Sequence, residues 1–246
     1  MKTLNRYRTS LYSLALLATF AGGGCTQRVE KSEKAIEHEK WIASLDDSIT
    51  SLQKEISESE LLLDEATDRV GVMLNDFDYV NNPREVEGYT ILKGWKARYP
   101  LTSTGLVARI TEGERLELVA ALKGGNFTSI AVSCGGTSTV ESAVVPYDQA
   151  LNYRSGGLNT VAFQGAEADS VAAFIADHEL DKVQLVFLNG KASGSITLPE
   201  ANCKMIAETW KLYSSRREVE RLEKALPMLN GRIAALRRMK DNNNPK

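Results

Sequence analysis

The chain has 246 residues, of which 43% are hydrophobic and 25% are charged, and these fractions are typical of globular proteins that bury a core. Its 30 Lys and Arg residues and 32 Asp and Glu residues give a formal net charge of −2. This composition argues against intrinsic disorder. It also disfavours a nucleic-acid partner, because binding nucleic acid requires a concentrated positive surface.

The N-terminal residues have the pattern of a secretory signal peptide. Three basic residues among the first eight precede an apolar run over residues 11–21, and three glycines then lead to Cys25. The layout resembles the type II signal peptide of bacterial lipoproteins, although Gly22 replaces the usual branched apolar residue. The resemblance implies a signal peptide over residues 1–24, removed before Cys25. It also implies diacylglycerol on the Cys25 thiol and an acyl chain such as palmitate on its new amino group.

This signal predicts a protein held in the cell envelope by lipid. The apolar run is shorter than the ~20 residues that span a bilayer. We therefore expect the protein to attach to the membrane through the lipid on Cys25. No acidic run follows the cysteine, which favours the outer membrane with the protein facing the periplasm. Cleavage after Ala21, giving a soluble periplasmic protein with an unmodified Cys25, is the alternative.

Residues 25–82 are predicted to hold the anchor and a long helix over residues 28–79, with a coiled-coil seam. Apolar residues recur every seven positions in two series that are offset by three, as coiled coils require. The two series are Ile42, Ile49, Ile56, Leu63 and Val70, and Leu45, Leu52, Ser59, Ala66 and Met73. The segment Asn81-Asn82-Pro83 is predicted to stop the helix, because the residue before proline is pushed out of the helical region.

A second helix with the same period is predicted over residues 199–240, followed by a disordered tail over residues 241–246. Thr197 and Glu200 have capping-box spacing, and Pro227 is predicted to kink or end the helix. The seam residues are Met205, Leu212, Val219, Leu226 and Ile233, and Glu208, Ser215, Leu222, Leu229 and Leu236. The two apolar seams are most simply buried against each other, so that the helices form an antiparallel stalk. A parallel homo-oligomer is the alternative.

Between residues 83 and 198 the apolar period changes from seven to two, which predicts a sheet domain inserted between the long helices. The fold class is therefore α+β, with a mostly antiparallel sheet and one short helix at residues 166–178. Predicted strands cover residues 106–110, 116–122, 127–134, 160–164, 183–188 and 192–198. Asn189-Gly190 predicts a tight hairpin between the last two.

Residue types that carry chemistry are sparse. The two histidines, His38 and His178, fall in different predicted modules, so neither a shared metal site nor a histidine-based triad is expected. We predict no catalytic residue, no metal and no cofactor. A hydrolase with an unrecognised carboxylate site is a distant alternative. A disulfide between Cys134 and Cys203 would link the second helix covalently to the sheet domain. The alternative is that both cysteines remain reduced and pack as buried thiols.

The polar loop over residues 146–157 is the predicted contact surface, because Tyr and Arg are enriched at interfaces. The candidate contact residues are Tyr147, Asp148, Asn152, Tyr153 and Arg154. The alternative is a structured connection in which Arg154 pairs with Asp148 and the tyrosines cover the core. The sequence favours a membrane-anchored lipoprotein whose stalk presents a non-catalytic binding module to an envelope protein or a glycan. A scaffold or assembly subunit that binds partners through its coiled coil is the second candidate.

Overall fold

The computed structural model describes residues 33–81, 87–136, 139–148 and 150–243. The predicted lipid-attachment residue Cys25 and the Asn82-Pro83 pair lie outside the described residues. The chain divides after Ser44 into two compact units. In the first unit the described residues, 33–44, are helical, and the His38 and Trp41 rings lie 6.0 Å apart. The second unit begins at Leu45 and contains the rest of that helix and all the elements that come after it.

The second unit has an α+β fold with two antiparallel sheets, flanked by long helices. The elements in chain order are α1 (Glu33–Leu74), β1 (Phe77–Val80), β2 (Tyr89–Leu92), β3 (Gly105–Thr111), β4 (Leu116–Lys123), β5 (Ser129–Cys134), β6 (Val140–Glu141), β7 (Asn152–Ser155), β8 (Leu158–Phe163), α2 (Ala166–Asp177), β9 (Val183–Leu188), β10 (Ala192–Thr197) and α3 (Glu200–Asn242). The larger sheet has the order β1-β2-β3-β4-β8-β7, and the smaller sheet has the order β10-β9-β5-β6. The predicted fold class is thus confirmed at the level of α+β with antiparallel sheets between long helices.

One apolar core joins the two sheets with α2 and α3. Phe127, in the segment that crosses from the larger sheet to the smaller, lies at its centre. Its ring is 6.3 Å from that of Phe163 in β8 and 5.0 Å from that of Phe187 in β9, in an edge-to-face arrangement. Aromatic pairs prefer such geometry over direct stacking. Phe127 therefore connects the two sheets through its side chain.

Helix α3 covers a part of the larger sheet that β2 leaves open. Strand β2 pairs with β3 only at Ile110 and Thr111, so the earlier residues of β3 have no strand on that side. There the Asn202 side-chain amide donates to the carbonyl oxygen of Leu106 at 2.9 Å, and the Ala108 N–H points to Met205 Sδ at 3.4 Å. Buried backbone groups need partners, and α3 supplies them by side chains.

The described helices and strands agree with most of the predicted elements. Each of the six predicted strands is present within a few residues of its expected bounds, and α2 ends one residue before the predicted helix end. The Asn189-Gly190 hairpin joins β9 to β10, with Gly190 at φ 69°. The prediction that the first helix extends to Tyr79 is wrong. The helix ends at Leu74, because residues 77–80 pair along β2 as strand β1.

The burial of α1 follows the predicted seven-residue period. From residue 45 to residue 73, nine positions are buried or half-buried and all others are exposed; the nine are Leu45, Ile49, Leu52, Ile56, Ser59, Leu63, Ala66, Val70 and Met73. All ten predicted seam positions of α3 are likewise buried or half-buried. Helix α3 continues through Pro227 to Asn242, so the proline does not end it. None of the described helices is long and apolar enough to span a membrane.

Side chains of α1 and α3 contact each other away from the main core. They form a small apolar cluster of Ile49, Leu52, Leu229 and Ile233, flanked by Ile56 and Leu236. Lys240 Nζ lies 2.8 Å from Asp46 Oδ2, and Arg69 Nη1 lies 3.7 Å from Glu218 Oε2. The contacts run in opposite directions along the two helices: Asp46 meets Lys240 near the end of α3, whereas Arg69 meets Glu218 nearer its start.

Candidate functional site

The predicted contact loop has both exposed and buried members. Tyr147, Asp148 and Arg154 are exposed, and Tyr153 lies at the margin of exposure. The Asp148 carboxylate accepts a hydrogen bond from the Ala150 N–H at 2.6 Å, and the Asp148 backbone bridges to Asn152. Four of the five predicted residues are therefore accessible: Tyr147 and Asp148 before the turn, and Tyr153 and Arg154 in β7 after it.

Asn152, the fifth predicted residue, is buried in a polar network under the loop. Its side-chain amide donates to the carbonyl oxygen of Val145 at 2.8 Å, and its Oδ1 accepts from Asn159 Nδ2 at 2.9 Å. Asn159 Oδ1 in turn accepts from the Phe127 N–H at 2.9 Å. Because its polar groups are used internally, Asn152 shapes the loop from beneath, while its neighbours face solvent.

A buried ion pair lies between two strands of the larger sheet. Arg109 in β3 and Glu117 in β4 are direct cross-strand neighbours, and the Arg109 Nε hydrogen-bonds the Glu117 carboxylate. Gln164 donates to the other Glu117 oxygen at 2.8 Å. The Arg109 guanidinium also lies 4.6 Å from the Tyr89 ring centre and 4.9 Å from that of Tyr99. These partners are side chains of the fold itself, and the contacts support a structural role for the cluster.

A second polar cluster joins α2 to α3. The Asp169 Oδ2 atom accepts from Arg217 Nη1 at 3.2 Å and from the Tyr213 hydroxyl at 3.5 Å, while its Oδ1 atom is buried without a hydrogen-bond partner. Burial raises the pKa of the Asp169 carboxyl, and Arg217 and Tyr213 partly oppose that rise. This cluster holds the two helices together.

Three residues with metal-binding side chains meet where β5 ends and β9 begins. They are Cys134, His178 and Asp181, and one ligand atom of each lies within 4.8 Å of the others. The β5–β9 register places Cys134, the last residue of β5, opposite Val183, the first residue of β9. The chain between α2 and β9 contributes the other two residues, so the register of the smaller sheet creates the cluster.

The backbone around this cluster is held by hydrogen bonds. His178 caps α2, and its N–H donates to the carbonyl oxygens of Phe174 and Ile175, each at 3.2 Å. The Asp181 N–H donates to the His178 carbonyl oxygen at 2.9 Å, which closes a turn. The His178 ring packs against Phe174 with 4.5 Å between ring centres. The positions of His178 and Asp181 are thereby fixed relative to the end of α2.

The electrostatics of the cluster centre on the Asp181 carboxylate. Its Oδ2 lies 3.0 Å from His178 Nδ1. Partial burial raises the pKa of the Cys134 thiol, and Asp181 raises that pKa further through its negative charge and by accepting a hydrogen bond from the protonated thiol. Cys134 is therefore a thiol at neutral pH, and it is half-buried, while Asp181 is exposed. The three side chains form a small polar site that solvent can reach.

Cys203 does not belong to this cluster. It lies on α3, fully buried in the apolar core, and burial is the main reason that the pKa of its thiol is raised. In the described part of the chain no disulfide joins Cys203 to Cys134. Cys203 therefore packs as a small apolar side chain.

Comparison with known proteins adds no relative. No protein-family model, no curated protein and no solved structure matches the chain. The sheet domain therefore has two separate candidate functional sites, each identified from its geometry alone. They are the exposed loop around Tyr147 and the Cys134–His178–Asp181 cluster. The sequence pattern predicted the first and missed the second.

Proposed function

We propose that the protein is a cell-envelope lipoprotein anchored through Cys25, in which α1 and α3 form an antiparallel coiled-coil stalk that presents the α+β module. The module binds without catalysis, and its partner is an envelope protein or a glycan. The anchor is embedded in the outer membrane, and the protein faces the periplasm. The exposed loop residues Tyr147, Asp148, Tyr153 and Arg154 are the proposed contact surface, with Asn152 supporting them from beneath.

The observation that carries the stalk is the burial pattern of the two long helices. On α1 the nine positions that follow the seven-residue period are the only ones between residues 45 and 73 that are buried or half-buried. A narrow stripe of this kind is typical of coiled coils, whereas a helix on a globular core buries a broader face. The apolar cluster of Ile49, Leu52, Leu229 and Ile233 further supports the pairing, and the ion pairs in opposite order support an antiparallel orientation.

The anchor is tested by replacing Cys25 with Ala in the full chain, expressed in a bacterial host that processes lipoproteins. We expect the wild-type protein to carry acyl chains in its intact mass and to partition into detergent. The Cys25→Ala variant is expected to remain unprocessed and without lipid, because the thiol that accepts diacylglycerol is gone. A wild-type protein that begins near Gly22 with an unmodified thiol would contradict the proposal and favour the soluble periplasmic alternative.

The stalk is tested by Leu229→Ala, with Met228→Ala as its matched control. Leu229 is 7% exposed within the α1–α3 cluster, whereas the neighbouring Met228 is 70% exposed. Truncating a buried leucine costs about 2–5 kcal/mol, and we expect a loss near the lower end because the cluster is small. Met228→Ala is expected to change the free energy of unfolding by less than about 0.5 kcal/mol. Urea unfolding and hydrogen exchange along α3 measure both effects.

The same samples distinguish an intramolecular stalk from association between chains. An antiparallel pair within one chain predicts a monomer whose unfolding midpoint is independent of protein concentration. A midpoint that rises with concentration, together with a larger mass in solution, would instead support a homo-oligomer.

The second candidate function is a scaffold that binds a partner through the outer surface of α1. Leu61 and Val72 are 61% and 70% exposed, and their spacing of eleven residues puts them on one side of the helix, away from the buried stripe. This candidate predicts that a partner copurifies with the wild-type chain and is lost on Leu61→Ser, while Tyr147→Ala retains it. The opposite result favours the loop as the binding surface.

A further inference from the structure

We propose that Cys134, His178 and Asp181 form a binding site for one zinc ion, with three protein ligands and a fourth position open to solvent. The sheet domain would then hold a metal centre at the end of its smaller sheet. This proposal does not depend on the lipid anchor or the stalk, because all three residues and the elements that position them lie in the sheet domain.

The distances suit a tetrahedral zinc ion. Zinc bonds of about 2.0–2.2 Å to nitrogen and oxygen and about 2.3 Å to sulfur place neighbouring ligand atoms about 3.3–3.6 Å apart. The three ligand atoms already lie within 4.8 Å of one another, and His178 Nδ1 is 3.0 Å from Asp181 Oδ2. A change of up to about 1.5 Å in the spacing of these atoms, shared between side chains, therefore completes the site.

The ligand types select the metal. A thiolate with an imidazole suits Zn²⁺, whereas Ca²⁺ and Mg²⁺ take oxygen ligands. The charges also balance, because one thiolate and one carboxylate neutralise the two positive charges of the ion. Three protein ligands leave one position for water or for a donor from another molecule, and the partial exposure of His178 and Asp181 keeps that position accessible.

Binding releases one proton from the site. The Cys134 thiol loses its proton to solvent as its sulfur bonds to the metal, and the Asp181 oxygen that accepted that thiol hydrogen bond becomes a metal ligand. His178 binds through the lone pair of its neutral imidazole, and if Nδ1 is the ligand the ring proton that faced Asp181 moves to Nε2. Its ring is already held against Phe174, so the ring orientation is largely set before the metal arrives.

The site is tested in the full chain with Co²⁺ as a spectroscopic substitute for Zn²⁺. We expect one equivalent of Co²⁺ to produce a thiolate-to-metal charge-transfer band and the intense visible bands of tetrahedral coordination, both of which are removed when Zn²⁺ displaces it. Zn²⁺ is also expected to raise the thermal unfolding midpoint, since a ligand that binds the folded state stabilises it. Cys134→Ser should abolish the charge-transfer band, and His178→Ala or Asp181→Asn should weaken Zn²⁺ binding at least tenfold.

Three control variants separate this site from other donors in the chain. Cys25→Ser, His38→Ala and Asp177→Asn change the same residue types outside the cluster, and all three should keep the bands and the rise in the unfolding midpoint. Circular dichroism of each metal-free variant checks that it is folded. Charge-transfer bands that survive Cys134→Ser or disappear with Cys25→Ser would overturn the proposal, as would a folded wild-type protein that gives no band.

Discussion

Glu117→Gln is expected to lower the free energy of unfolding by about 3–5 kcal/mol, the usual cost of removing one partner from a buried ion pair. The side chains of Arg109 and Glu117 are 12% and 4% exposed, so water reaches neither charge well. The substitution keeps the size of the side chain and a hydrogen-bonding group beside Gln164, but it removes the negative charge that Glu117 places against the Arg109 guanidinium. The flanking rings of Tyr89 and Tyr99 compensate only in part, because a cation over an aromatic ring gains about 0.5–2 kcal/mol.

A second ion pair near the same hairpin provides the control. Arg115 hydrogen-bonds Glu87, but the Arg115 side chain is more than half exposed. Exposed pairs contribute about 0–1 kcal/mol, so Arg115→Ala should have a small effect in the same urea-unfolding experiment. Replacing Arg109 with Met and Glu117 with Leu together should restore much of the loss, because apolar pairs often substitute well for buried ion pairs. Equal effects of Glu117→Gln and Arg115→Ala would contradict this account.

Phe127→Ala is expected to destabilise the protein by a similar amount, about 3–5 kcal/mol. The ring is almost fully buried and lies against Phe163 of one sheet and Phe187 of the other, so its removal leaves a cavity bounded by both sheets. Each lost aromatic pair adds about 0.5–1.5 kcal/mol to the loss of apolar burial. The backbone of Phe127 retains its hydrogen bond to Asn159, so the effect arises mainly from packing.

Tyr147→Ala is the control for Phe127→Ala, because it removes an aromatic ring from an exposed loop of the same domain. Its effect on the free energy of unfolding should be within about 0.5 kcal/mol. Both variants are compared by urea unfolding at equal protein concentration. A loss below 1 kcal/mol for Phe127→Ala would show that the two sheets are held together by other contacts.

Local periodicity predicted the two long helices and six of the described strands. The seams of α1 and α3 repeat every seven residues over five heptads, and the predicted strands carry an apolar residue at every second position, although β3 and β4 are buried on both faces. The hairpin at Asn189-Gly190 was predicted because asparagine and glycine adopt the positive φ that tight turns require. In each case the signal lies within one element or one turn.

The elements that were missed depend on distant partners. Phe77 and Tyr79 suit either a helix or a strand, and the pairing of residues 77–80 with β2 decides between them. The same applies to β6 and β7, which are short and lie at sheet edges. Propensity is weak in such segments, and tertiary contacts override it.

The Cys134–His178–Asp181 cluster could not be found by searching for a motif. Cys134 lies more than 40 residues before the other two, and a count of histidines alone argued against any metal site. The cluster follows from the β5–β9 pairing, which brings the end of one strand to the start of the other. Antiparallel pairing of the predicted strands 127–134 and 183–188 places Cys134 near Asp181.

The way in which α3 completes the larger sheet has a consequence for synthesis of the chain. Asn202 and Met205 are separated by about 100 residues from the β3 groups that they satisfy. While the ribosome is translating the sheet domain, the β3 edge beside β2 has no partner, and an open edge can pair with another chain. Burial of that edge must wait until the start of α3 has emerged from the exit tunnel. The nascent sheet domain therefore depends on an element that is translated after it, and a chaperone that shields the exposed strand would act in that interval.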